Sequence, residues 1–73
     1  MQGRVSSIKS APADSSPTVE VEVWDETGGV TLQFLGRREI SGLDVGSHLK
    51  AEGMVGENNG QLVILNPSYE IIV

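Results

Sequence analysis

Cysteine is absent from this 73-residue chain, so neither a disulfide nor a thiolate zinc site can brace it. Histidine occurs once, as His48, and a single imidazole cannot assemble a metal site. Aromatic residues are scarce: one Trp, one Phe and one Tyr. Cations are scarce too, 5 Lys and Arg against 10 Asp and Glu, for a formal net charge of −5 that argues against strong binding to any polyanion. No apolar run approaches the ~18 residues of a membrane span, and no charged-then-apolar leader is visible. A soluble cytoplasmic module without metal or cofactor is the expectation. The length allows one domain over residues 1–73, resting on packing alone. Its abrupt start at Met1-Gln2-Gly3, almost at the first strand, is that expected of a segment excised from a longer protein.

Strand patterning is what the chain has in abundance. In Thr18-Val19-Glu20-Val21-Glu22-Val23-Trp24, alternation puts the three valines on one face and Thr18, Glu20, Glu22 and Trp24 on the other. Val30-Thr31-Leu32-Gln33-Phe34-Leu35 alternates likewise, with Val30, Leu32 and Phe34 on the apolar side. Asp25-Glu26-Thr27-Gly28-Gly29 between them has the composition of a hairpin turn. Matching the apolar faces predicts pairs Val23–Leu32, Val21–Phe34 and Val19–Gly36. The outer face then pairs Trp24 with Thr31, Glu22 with Gln33, Glu20 with Leu35, and Thr18 with Arg37.

Three further segments read as strands. Arg4-Val5-Ser6-Ser7-Ile8-Lys9 spaces its apolar residues three apart, which predicts a bulge near Ser6-Ser7. Leu49, Ala51, Gly53 and Val55 alternate with His48, Lys50, Glu52 and Met54. Gln61 to Leu65 is almost wholly apolar, Asn66-Pro67 interrupts it, and Tyr69 to Val73 follows; Pro67 marks a bend or an edge. Ala11 to Pro17 reads as a polar loop and Glu57-Asn58-Asn59-Gly60 as a turn. Gly36 to Ser47 has room for at most one short helical turn, around Arg38 to Ser41.

Five short strands with little helix predict a small closed all-β barrel, because closure removes exposed edges. Its inward set is Val5, Ile8, Val19, Val21, Val23, Val30, Leu32, Phe34, Leu43, Val45, Leu49, Val55, Leu62, Ile64 and Ile71. A core of this size leaves a net stability of about 3–5 kcal/mol.

Several motifs then carry a family resemblance. Gly3-Arg4-Val5 opens the first strand, Asp25-Glu26-Thr27-Gly28 follows the second, and Gly46-Ser47-His48-Leu49-Lys50-Ala51-Glu52-Gly53 covers the fourth. Leu35-Gly36-Arg37-Arg38 and Asn66-Pro67-Ser68-Tyr69-Glu70 complete the set. The chain resembles, over essentially its whole length, the small bacterial OB-fold proteins of the nucleic-acid-binding kind, in particular the actinobacterial type. That resemblance implies a five-stranded OB-fold Greek-key barrel; the linker helix that such proteins often have between strands 3 and 4 is here reduced to at most one short helical turn. The resemblance also implies weak single-stranded DNA or RNA binding on the outer face of strands 2 and 3, where bases stack on aromatics.

Carried onto this chain, the implied platform is Trp24, Thr31, Gln33, Leu35 and Arg37, with Arg38 completing the only basic doublet and Lys50 projecting outward from the fourth strand. An exposed Trp24 stacks one base for ~1–3 kcal/mol. The first loop carries Asp14 and the fourth–fifth loop Glu57, without a Lys or Arg in either. The acidic balance therefore favours a second reading, a protein-interaction module with Trp24 and Leu35 as its apolar anchor and glutamates as the rim. An enzyme is not expected. His48 has no nucleophile at a recognisable elbow, Asp25-Glu26 is turn chemistry, and the glycines match no phosphate loop. Tyr69 is read as structural, closing the barrel bottom.

Overall fold

The computed structural model describes residues 1–11, 17–37 and 40–72. Among these the chain forms β1 (Gln2–Ala11), β2 (Thr18–Asp25), β3 (Gly28–Leu35), β4 (His48–Glu52), β5 (Val55–Asn58), β6 (Gln61–Leu65) and β7 (Ser68–Ile72), and no helix. Accordingly no helix is long and apolar enough to cross a membrane. The strands make one mixed sheet in the order β5-β6-β3-β2-β1-β4-β7, antiparallel except where β3 meets β6. All-β character is as the alternation predicts. The count is seven rather than five, and as a hydrogen-bonded sheet it is open, with β5 and β7 at its edges.

The two extra strands arise from breaks in expected ones. Gly53-Met54 separates β4 from β5, and Asn66-Pro67 separates β6 from β7. Partner numbers total 119 along β5–β6 and 120 along β4–β7, so the two pairs are halves of one hairpin offset by a single residue at the break. Asn66 fixes that bend. It sits at φ 46°, which Asn tolerates, its N–H donates to the Gln33 carbonyl at 2.7 Å, and its Oδ1 accepts from Leu35 N–H at 2.9 Å. One residue thus carries the β3–β6 contact past the last ladder pair, Gln33–Leu65.

The β2–β3 hairpin keeps its faces but not the predicted register. Observed pairs are Val23–Val30, Val21–Leu32, Val19–Phe34, Trp24–Gly29, Glu22–Thr31, Glu20–Gln33 and Thr18–Leu35. Period-two patterning cannot distinguish registers two residues apart, because both bury the same side chains. The turn decides: Asp25 pairs with Gly28, and only Glu26 and Thr27 lie between them. In β1 the register shifts between Val5 and Ser7, the bulge that the three-residue apolar spacing predicts. Arg4 consequently faces Trp24, and Ile8 faces Val21.

The core is Val5, Val19, Val21, Val23, Leu32, Phe34, Leu49, Ala51 and Ile64, closed below by Ile40 and Leu43 from the β3–β4 connection. Residues 38 and 39, where a helical turn was expected to begin, lie outside the described residues; Ser41-Gly42 and Val45-Gly46 are turns. Four expected core residues are exposed instead. Val55 lies on an edge strand, Leu62 precedes the first β3–β6 pair, Val45 sits in a turn, and Ile8 borders a cleft beside Ile40 and Leu43. Tyr69 packs its ring edge against Phe34, centroids 5.6 Å apart and planes at 82°.

Leu32 is fully buried and Leu35 is 46% exposed, one on each face of β3. Leu32→Ala is expected to cost about 2–5 kcal/mol, comparable to the whole stability of a core this size, about 3–5 kcal/mol. Urea denaturation should show a lost or severely weakened cooperative transition. Leu35→Ala should stay within about 0.5 kcal/mol of the parent.

Candidate functional site

Asp25 builds the end of the outer face. Its Oδ1 accepts from Thr27 Oγ1 at 2.6 Å, Thr27 N at 2.7 Å and Gly28 N at 3.1 Å, closing the two-residue turn. These donors, the Thr27 hydroxyl first, hold the Asp25 carboxyl below its ordinary value of 3.8. The register they set brings Gly29 opposite Trp24. A Cβ at position 29 would stand 2.7 Å from Trp24 Cε2, with Cζ2 and Cδ2 at 2.9 and 3.0 Å, so the indole occupies the space a side chain would need. An aromatic laid across a strand glycine protects that backbone and sets the ring's position.

Trp24 is 50% exposed, on the outer side that the alternation of β2 requires. Its Nε1 donates to Glu22 Oε1 at 3.3 Å, while Ser7 Oγ donates to Glu22 Oε2 at 3.3 Å. The ring therefore has a glycine beneath and a carboxylate at its edge. Beside it opens a groove of about 310 Å³, walled by Glu22, Thr31, Gln61 and Leu62. A smaller hollow of about 120 Å³ continues along the sheet through the same Glu22, Thr31 and Gln61 to Lys9 and Glu20. The acids here, Glu22 and Glu20, belong to β2 itself, between Ser7 and Lys9 of β1 and the uncharged Thr31 and Gln33 of β3.

The β1 side is basic. Arg4 pairs with Trp24 on one flank and with His48 on the other, and Lys50 is two residues along from His48 on the same face of β4. All three are exposed. Two strand steps, about 10 Å, separate the Trp24 backbone from that of β4. Lys50 makes the one ion pair found among the described residues, to Glu52 at 3.8 Å; both side chains are more than half exposed, so the pair is weak.

The predicted platform is thus assembled in part. Trp24, Thr31, Gln33 and Leu35 share the outer face. Arg37 does not join it. The predicted Thr18–Arg37 pair is replaced by Thr18–Leu35, and Gly36 turns the chain away at φ 76° with its N–H donating to the Pro17 carbonyl at 2.8 Å. Arg37 is exposed beyond the ladder, without the Glu20 pairing that the predicted register offered it. Arg38 lies outside the described residues, as does Asp14 in the first loop. Arg4 and His48 are the residues that sequence reasoning left out of the site. The Ser6-Ser7 bulge was the signal for them, since it sets which β1 residue meets Trp24.

Among the described residues no group of three or more His, Cys, Asp or Glu is placed to hold a metal ion. Comparison of the chain with protein-family models, with curated proteins and with solved structures gives no match. The geometry alone carries the functional reading.

Two outcomes test this geometry. Gly29→Ala should push the exposed indole off the sheet, shifting Trp24 emission to the red while stability changes by less than about 1 kcal/mol. Acid should loosen the turn: a carboxyl whose value is depressed in the folded chain stabilises fully above its ordinary 3.8, and that contribution fades as pH falls through the lower folded value. Thermal melts should therefore decline below pH 4 more steeply for the parent than for Asp25→Asn.

Proposed function

We propose that the chain is a nucleic-acid-binding module of the OB type, not an enzyme, that docks a single strand weakly on the outer face of β2 and β3. On this reading the seven segments are five strands: β4 with β5, and β6 with β7, are each one strand bent at Gly53-Met54 and Asn66-Pro67. The parallel β3–β6 contact and the antiparallel β1–β4 and β4–β7 contacts support that assignment, because chain continuity through Asn66 then links β3 round to β1. A cysteine-free chain also suits a reducing, cytoplasmic compartment.

The observation that carries the binding role is the placement of Trp24, half-exposed across Gly29 with a groove beside it. A ring so placed is already ordered, and stacking a base on it gains ~1–3 kcal/mol. Bases lie toward Thr31 and Gln33, and the backbone runs toward Arg4 and Lys50, away from Glu20 and Glu22. Leu35 extends the apolar part of the platform, and Arg37 lies exposed beyond the end of its ladder. With two or three cations engaged, affinity is modest and salt-sensitive.

A second reading has its own support. Leu35 and Leu65, 46% and 53% exposed, end the adjacent strands β3 and β6, exposed apolar surface that single strands do not need. A protein partner anchored on Trp24 and Leu35 would use it, with the glutamates as rim.

Titrating the protein with a mixed-sequence single strand at low salt should quench Trp24 fluorescence. The log–log salt slope should be about −1.4 to −2.1, using −0.7 per phosphate contact. Measured by anisotropy of a labelled strand, Trp24→Ala should lose most of the affinity, and Arg4→Ala should flatten the slope by about 0.7, more than Arg37→Ala does. Absence of quenching at high micromolar strand overturns the nucleic-acid reading. Capture of a protein partner that Trp24→Ala abolishes then supports the second one.

A further inference from the structure

A glutamate at the centre of a strand-binding face repels phosphates, yet Glu22 is held there by two bonds. Its carboxylate has about four lone-pair sites. Trp24 Nε1 takes one at Oε1 and Ser7 Oγ one at Oε2, so each oxygen keeps acceptor capacity while its position is fixed beside the indole edge. Trp24 and Glu22 line the same groove, of about 310 Å³. Glu22 thus sets an acceptor-only group at the indole edge, beside the face on which a base stacks.

Bases differ in what they offer such a group. Guanine displays two adjacent donors, N1–H and the N2 amino group, spaced to meet the two oxygens of a carboxylate. Adenine and cytosine each place a ring nitrogen acceptor beside their amino group, which a carboxylate repels. Thymine and uracil flank their single N–H with two carbonyls. Paired charge-assisted bonds are stronger and more selective than one.

We infer that Glu22 makes this site selective for guanine, by accepting hydrogen bonds from the N1–H and N2 amino group of a base stacked on Trp24. The inference rests on the single-strand reading of the β2–β3 face and deepens it. It gives the acid a role: the negative charge meets a base edge, and the phosphates run toward the cations Arg4 on β1 and Lys50 on β4.

The test compares short dT strands carrying one central dG, dI, dA or dC, followed by Trp24 fluorescence at low salt. Inosine is guanine without the N2 amino group, so stacking is kept and one bond is lost. The dG strand should bind about tenfold tighter than the dI strand, a difference of ~1.4 kcal/mol. In Glu22→Gln, which keeps an acceptor for the indole but turns a donor toward the groove, the gap should shrink to within about twofold. If dG and dI strands bind the parent equally well, stacking stands and guanine selection is refuted. If no strand quenches Trp24 at all, the docking face itself is refuted and the selectivity falls with it.

Discussion

The turn at Glu26-Thr27 is the constraint on which the outer face depends. Three donors converge on one oxygen of Asp25, and a turn of two residues leaves β2 and β3 a single pairing. That pairing sets Gly29 under the indole, Thr31 opposite Glu22 and Leu35 opposite Thr18. A register two residues longer would bury the same valines and leave the core intact. It would also put a threonine where the ring now lies and carry Arg37 onto the sheet. The core tolerates either arrangement; the surface does not.

A second constraint works at the opposite end of β3. Asn66 spends both its N–H and its side-chain carbonyl on β3, so the bend between β6 and β7 is tied to Gln33 and Leu35. Pro67, which is buried and has no N–H to offer, follows at once and prevents the ladder from running straight on. β7 is thereby directed toward β4, where Tyr69 reaches Phe34. Ile40 and Leu43 then close the core from a connection that lacks strand patterning.

Alternation made the two faces of β2, β3 and β4 legible, and with them the outward position of Trp24. The bulge in β1 was legible from the spacing of Val5 and Ile8. Register was not, because a pattern of period two is blind to a slip of two; it needed the hydrogen bonds of Asp25. Chain breaks were only half legible: Pro67 announced one, while Gly53 continued an apparent alternation that the backbone does not follow. Ile40 was missed since a lone isoleucine in an irregular connection carries no periodic signal. Arg4 and His48 were visible as polar residues of the first and fourth strands, but not as a row running from Trp24 across β1 to β4, a relation that exists only once β1 is placed between β2 and β4.

What results is a ring with Glu22 and Glu20 further along its own strand and with Arg4, His48 and Lys50 ranged across β1 and β4. The placement of that ring is the claim from which the functional readings follow. Nuclear Overhauser spectroscopy on the isotope-labelled chain measures it most directly. Contacts from the Trp24 indole protons to both Gly29 Hα protons, with a Val23–Val30 cross-strand contact, are expected. Indole contacts to the Thr31 methyl together with a Val23–Leu32 pair would contradict the register and, with it, the face built upon it.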